Sequence, residues 1–111
     1  MLEKALKLAP DLDAAGFGAD DTTRPCGQGS APFGTREARQ VVLCCDWLHR
    51  RTEPAKTASR GSYGLKHVVE RQVGEYVSNG AFLAAALALG YRVDRNGING
   101  RVYLKYRRGS R

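Results

Sequence analysis

The sequence predicts an α+β protein that is mainly helical, with three helices followed by a C-terminal β-hairpin. Apolar residues recur at helical spacing in three segments between residues 35 and 89. The period changes to strand-like alternation between residues 91 and 107, around the turn sequence NGING (96–100). Residues 10–34 show neither period, and eight of these twenty-five residues are Gly or Pro.

The length of 111 residues is typical of one domain. Residues 1–34 are predicted to be a flexible N-terminal arm, because so long a stretch without periodicity resembles a mobile segment rather than an internal loop. The spacing of Leu2, Ala5, Leu6 and Ala9 predicts a short helix at 2–9 within it. Residues 35–108 form the predicted folded domain.

The first helix of this domain is predicted to begin at Thr35, a residue type that caps helices well. One buried face is predicted at Ala38, Val41, Val42, Cys45 and Leu48, widened by Cys44 and Trp47. The helix should end before Pro54, because a residue preceding proline is pushed out of helical angles. Residues 52–61 are therefore predicted to be a connector.

Two further helices follow. Ser62 is the predicted cap of one, whose apolar face includes Leu65 and Val69, and Gly74 is predicted to end it. Ser78 or Asn79 should cap the next, AFLAAALAL (81–89), which is apolar on every side and is predicted to be buried.

Alternation in the final strand predicts Val102, Leu104 and Tyr106 on the core side. The opposite face then displays Arg101, Tyr103, Lys105 and Arg107. The predicted order is helix, helix, turn, helix and hairpin, which is the order of a winged-helix domain with the hairpin as its wing. Either Asn-Gly pair of NGING could form the turn.

The charge is unevenly placed along the chain. The formal net charge is +7, with −2 over residues 1–34 and +9 over residues 35–111. Such a basic domain favours a polyanionic partner, and cations interleaved with an aromatic side chain suit nucleic acid. The predicted nucleic-acid-binding residues are Lys66, Arg71, Ser78, Asn79, Arg92, Arg95, Arg101, Tyr103, Lys105, Arg107 and Arg108.

Alternatives remain for this surface. The charged strand could instead be a solvated edge that resists aggregation. A DNA-reading helix needs polar groups on its outer face, and residues 81–89 offer none, so base reading by that helix is disfavoured. Contacts could come from its start, where Tyr76, Ser78 and Asn79 lie and free backbone amides suit a phosphate. Otherwise the outward surface would be that of Lys66, His67, Glu70 and Arg71.

The sequence favours a non-enzymatic protein without metal or cofactor. Cys44 and Cys45 sit within a hydrophobic helical pattern, where buried thiols are unreactive. Cys26 and the two histidines lack the spacing of metal ligands. The odd number of cysteines and the absence of a membrane-length apolar run predict a cytoplasmic protein without a membrane partner. A homodimer through the alanine-rich helix at 84–88 is a third hypothesis.

The segments SYGLKH (62–67) and YVSNG (76–80), with the later NGINGRVYL, resemble a group of small proteins from phages, plasmids and other mobile elements. The similarity covers roughly residues 57–106. This resemblance implies a repressor, a plasmid-maintenance factor or an inhibitor of host defence such as an anti-CRISPR protein, and it assigns no functional residue. We therefore expect a regulatory protein that binds nucleic acid, DNA in preference to RNA. The alternative is an inhibitor that uses its basic surface on an acidic or ribonucleoprotein partner such as a defence nuclease complex.

Overall fold

The computed structural model describes residues 2–9, 12–13, 16–17 and 35–107. Its helices are α1 (Leu2–Leu8), α2 (Thr35–Arg51), α3 (Ser62–Val73) and α4 (Asn79–Ala88). Its strands are β1 (Leu12–Asp13), β2 (Gly16–Phe17), β3 (Thr52–Gly61), β4 (Val93–Asn96) and β5 (Asn99–Tyr106). About 54 % of the described residues are helical, and β3, β5 and β4 form an antiparallel sheet in that order. The α+β, mainly helical prediction is confirmed.

Helix α4 lies at the centre of the core. Residues 81–86 are fully buried, and α1, α2, α3 and the sheet all contact this helix. Burial of an all-apolar helix is what its composition predicts. Its alanines are buried against elements of the same chain, so they do not form the exposed surface that the dimer hypothesis requires.

Helix α2 buries five of the seven residues predicted for its apolar face. Its buried residues are Gln40, Val41, Cys44, Cys45, Trp47 and Leu48, whereas the predicted Ala38 and Val42 are exposed. The buried face extends to the polar Gln40 instead, and both Gln40 and Trp47 form hydrogen bonds with neighbouring elements. Gln40 accepts a hydrogen bond from the backbone N–H of Ser78, and Trp47 donates one to Gln72.

The turn from α3 to α4 uses two of the predicted end signals. Gly74 ends α3 at φ 75°, in the left-handed region that favours glycine. Ser78 is the N-cap of α4, and its hydroxyl accepts a hydrogen bond from the Ala81 N–H at 3.0 Å. The prediction that Ser62 caps α3 is wrong, since Gly61 occupies the N-cap position without a side-chain bond.

The predicted connector at 52–61 is strand β3, which pairs with β5 from Thr52 opposite Tyr106 to Gly61 opposite Arg101. The register shifts between Pro54 and Ser59, where the edge strand bulges. The segment has little intrinsic strand propensity and contains Pro54, which only an edge strand tolerates. Its extended form is therefore fixed by pairing with β5, a long-range contact that local sequence does not reveal.

Strands β4 and β5 form the predicted hairpin. Asn96 pairs with Asn99, so Gly97 and Ile98 make the turn, with Gly97 at φ 64°. Neither Asn-Gly pair therefore supplies both turn residues: Asn96 is the last residue of β4, Asn99 is the first of β5, and among the described residues only glycines have a positive φ. Val102 and Leu104 of β5 are fully buried, as predicted. Tyr106 is half-buried and meets Trp47 edge-on, with ring centroids 6.0 Å apart.

The described parts of the N-terminal segment belong to the core. Helix α1 forms where the short helix is predicted, and Ala5, Ala9, Leu12 and Phe17 are buried. The Phe17 N–H donates to the Ile98 carbonyl at 2.9 Å, which ties β2 to the hairpin turn. Apolar burial thus holds these residues on the domain. The flexible arm is predicted for residues 1–34, of which residues 1, 10–11, 14–15 and 18–34 lie outside the described part of the chain.

A buried hydrogen-bond cluster joins α3, α4 and the hairpin. Ser62 Oγ donates to Asn79 Oδ1 at 2.8 Å and accepts from the Gly100 N–H at 3.0 Å. Asn79 Nδ2 donates to the Ile98 carbonyl at 3.2 Å and to Asn99 Oδ1 at 2.9 Å. We call Ser62, Asn79, Asn99 and the backbone at Ile98 and Gly100 the polar junction. It connects the starts of two helices to the tip of the hairpin.

Replacing Asn79 with Ala should destabilise the fold by about 1–3 kcal/mol, because the buried Ser62 hydroxyl and Ile98 carbonyl each lose a partner. The free energy of unfolding from urea titration measures this. Asn96→Ala is the matched control, since Asn96 is an exposed asparagine in the same hairpin and should change stability by less than about 0.5 kcal/mol. Equal effects of the two substitutions would contradict the structural role of the polar junction.

Candidate nucleic-acid interface

The outer face of the three-stranded sheet collects five of the eleven predicted binding residues. On the central strand β5, Arg101 and Lys105 are exposed, alternating with the buried Val102 and Leu104. Arg107 follows directly, and its guanidinium donates to the His49 carbonyl at 3.0 Å. We call this surface, made of Arg92, Asp94, Arg101, Tyr103, Lys105, Arg107, Ser59 and Glu53, the sheet face.

One end of the sheet face is organised around Tyr103. Its ring lies under the Arg92 guanidinium, 4.4 Å from the ring centroid, and its hydroxyl donates to Asp94 at 2.9 Å. Arg92 also pairs with Asp94 at 3.3 Å. The Tyr103 hydrogen bond and then Arg92 lower the pKa of Asp94, against its partial desolvation. Asp94 is therefore ionised at neutral pH and offsets one cation.

Glu53 of β3 occupies the other end. Lys105 pairs with it at 3.1 Å and Arg107 at 3.5 Å. Arg101 instead donates to neutral partners, the Ser59 hydroxyl and carbonyl. The sheet face therefore carries four cations and two carboxylates. Exposed ion pairs contribute little free energy individually. An incoming phosphate can therefore replace either carboxylate as the partner of these cations.

Arg95 and Arg108 are the remaining predicted cations of the hairpin and the tail. Arg95 is exposed close to the hairpin turn, with its guanidinium 4.4 Å from the Phe17 ring centroid. Arg108 lies outside the described residues.

The structure separates Ser78 and Asn79 from the sheet face. Both are buried, at 5 % and 7 % exposure, and both serve the fold. Ser78 caps α4 and Asn79 belongs to the polar junction, so neither side chain is free to position a phosphate as predicted. Because α4 is buried as well, its start does not present a base-reading surface.

Lys66 is also buried, at 6 % exposure, and holds the turn between α3 and α4. Its ammonium donates to the Val77 carbonyl at 3.2 Å and pairs with Glu70 at 3.3 Å. Glu70 accepts from the Val77 N–H at 3.2 Å and contacts His67 Nδ1 at 2.9 Å. The lysine is thus a structural clamp, whereas the predicted Arg71 remains exposed on α3.

The same contacts set the ionisation of Glu70. Burial acts to raise the pKa of this carboxyl, but the Val77 N–H, Lys66 and His67 together hold the pKa below its usual range. Glu70 is therefore a carboxylate at neutral pH, which the clamp requires.

A cleft of about 820 Å³ opens over this clamp, between α3, the turn before α4 and the hairpin tip. Exposed Tyr63 and Tyr76 line it with Ile98, His67 and Arg71. We call it the tyrosine cleft. Sequence analysis did not assign Tyr63 to a site, and it named Tyr76 only as a possible contact before α4. A signal was present, because Tyr63 stands three residues before Lys66 and therefore on the same helical face.

The two described cysteines have the burial that the sequence predicts. Burial raises the pKa of Cys44 far above its usual value and that of Cys45 to about 11, so neither thiol ionises near neutral pH. Within the described ranges, no group of three or more His, Cys, Asp or Glu residues could hold a metal ion. Cys26 lies outside those ranges.

No known protein family, curated protein or solved structure matches the chain. Among the helices that the structure describes, none is long and apolar enough to cross a membrane.

Glu70→Gln should destabilise the protein at neutral pH by about 1–3 kcal/mol, because the buried Lys66 loses its carboxylate partner. The lowered pKa of Glu70 also predicts a pH dependence. Its contribution is present above the unfolded pKa of about 4.3 and is lost as the pH falls through the lower folded value. Urea unfolding at neutral and acidic pH should show a smaller loss on acidification in the variant than in wild type. An identical loss would contradict the clamp.

Proposed function

We propose that the protein is a cytoplasmic, non-enzymatic regulator that binds nucleic acid, DNA in preference to RNA, through the sheet face. The observation that carries the proposal is the alternation along β5, which buries Val102 and Leu104 and turns Arg101 and Lys105 outward together. With Arg92 and Arg107 they supply four cations around Tyr103. Such a surface can hold successive phosphates while the aromatic ring meets sugar or base.

A winged-helix-like build is part of the proposal. The order α2, β3, α3, α4, β4 and β5 supports it, as does β5 lying between β3 and β4. In this build the β4–β5 hairpin is the wing. Since α4 is buried, the wing and not a recognition helix would contact nucleic acid, and binding would depend on backbone phosphates more than on base identity.

The resemblance of SYGLKH and YVSNG to proteins of mobile elements supports a regulatory role. The charge supports a polyanionic partner, since residues 35–111 carry +9. Released counterions favour phosphate binding to such a domain without specific contacts.

Changing Arg101, Lys105 and Arg107 together to Ala should abolish most of the binding to random-sequence duplex DNA. Fluorescence anisotropy across about 50–200 mM salt should show a salt slope flatter by ~0.9 for each phosphate that the variant no longer neutralises. Each single substitution should weaken binding similarly on all sequences. A charge-matched control replaces Lys4, Lys7 and Arg36, which are exposed on helices, and should retain most affinity. Equal reductions in the two triple variants would contradict a site on the sheet face.

Glu53→Gln should strengthen binding by a few-fold, because it frees Lys105 and Arg107 from their shared carboxylate. The same anisotropy assay measures the effect at fixed salt. Asp46→Asn is the control, since it also removes one exposed carboxylate paired with an arginine, on α2 rather than the sheet. An equal effect from Asp46→Asn would indicate that only net charge matters and would contradict a site at Glu53.

The two carboxylates on the sheet face favour a second candidate function. Charges of both signs fix the orientation of a protein partner. In this second function the protein is an inhibitor, and its sheet face docks on a defence nuclease complex. Affinity for such a protein that persists in high salt, with negligible affinity for free DNA, would support this candidate over the first.

A further inference from the structure

The tyrosine cleft is built differently from the sheet face. The Tyr63 and Tyr76 rings both rest near the Lys66 ammonium, with centroids 5.4 and 4.9 Å from Nζ. His67 supports Tyr63 edge-on, with ring centroids 4.6 Å apart. Yet Tyr63 is 58 % exposed and Tyr76 is 64 % exposed. Cation–π contacts thus position two rings that remain open to a ligand.

These rings are not needed for the core. The clamp beneath them satisfies the backbone at Val77 through Lys66 and Glu70. Neither tyrosine ring is buried. Because apolar burial is what stabilises the fold, the two rings add little to the free energy of unfolding. Large aromatic side chains exposed in one cleft beside Ile98, which is also exposed, are typical of a binding surface.

The charge of the cleft suits an anionic partner with planar groups. Glu70 supplies its one carboxylate among the described lining residues, and Lys66 and His67 already contact that carboxylate. Arg71 adds an exposed cation at the rim. The one carboxylate among the described lining residues is therefore already paired with a cation and repels an acidic ligand little. A planar group of the ligand can stack on either tyrosine ring.

The cleft adjoins the sheet face. Gly61 is the strand partner of Arg101, and Tyr63 follows Gly61 by two residues. Ile98 lies in the hairpin turn, three residues before Arg101. A chain that runs along β5 toward the turn therefore reaches the cleft directly after Arg101.

We propose that the tyrosine cleft holds an unpaired base of a single-stranded nucleic acid, stacked on Tyr63 or Tyr76, while the adjoining backbone lies on the sheet face. This inference rests on the proposed function and adds a preference for single strands. A duplex keeps its bases stacked inside the helix, so it uses the phosphate contacts alone. Stacking tolerates any base, because every base has a π-face.

The test compares a fluorescein-labelled oligothymidine with a random duplex of equal length, binding to the full chain by anisotropy. Tyr63→Leu/Tyr76→Leu removes both rings without changing charge at exposed positions. It should weaken single-strand binding roughly tenfold or more, with duplex affinity within about twofold of wild type. Tyr63→Phe/Tyr76→Phe keeps the rings and should bind both forms like wild type. Each single leucine variant gives the same comparison if the double variant fails to fold.

The outcomes separate the two proposals. The first outcome is duplex binding that depends on the sheet face, together with a single-strand affinity that is the same in the leucine variant and in wild type. This outcome contradicts the proposal that the cleft holds a base, and it leaves the proposed function standing. Wild-type protein that binds neither nucleic acid overturns both. A labelled peptide of alternating glutamate and leucine tests the other occupant, an acidic protein segment. Tyrosine-dependent binding of that peptide, without tyrosine-dependent binding of the oligothymidine, also overturns the cleft as a base site.

Discussion

The polar junction is the interaction on which the arrangement of this protein depends. Ser62 and Asn79 begin α3 and α4, and both bind the hairpin near its turn. The other contacts of the hairpin turn with the helices are mainly apolar and therefore non-directional, whereas Arg107 binds α2 at the opposite end of the hairpin. The bonds fix which side of β5 faces the core. They therefore determine that Arg101 and Lys105 face outward.

Burial of α4 follows from the same arrangement and shapes the function. The hairpin turn lies against the start of α4, so the Asn79 side chain binds Ser62, Ile98 and Asn99 within the polar junction. An apolar helix enclosed by α1, α2, α3 and the sheet gives the domain its core but removes a base-reading element. In the function that we propose, recognition depends on the cations of the sheet face and on exposed aromatic rings. The proposed winged-helix-like build would then bind nucleic acid without reading its bases through α4.

Elements with strong local signals could be predicted from the sequence, whereas those set by distant contacts could not. The uniform composition of α4, Gly74 and the alternation of β5 each act within a few residues. Strand β3 depends on β5, which is distant in the sequence, so no local pattern reveals it. The sequence does not show whether the Asn79 amide binds a phosphate or, as in the structure, the Ser62 hydroxyl. The tyrosine cleft needs the α3–α4 turn to bring Tyr76 beside Tyr63, a placement that helical spacing alone cannot give.

Mapping a bound duplex by heteronuclear NMR tests the central claim, that the sheet face holds phosphates, most directly. Backbone amide shifts of the isotopically labelled full chain would be followed during titration with short random-sequence duplex DNA at low salt. The account predicts the largest changes at β5 from Arg101 to Tyr106 and at Arg92, with little change along the exposed face of α2 around Asp46. Changes concentrated on α2 and absent from β5, or no changes at saturating DNA, would contradict it.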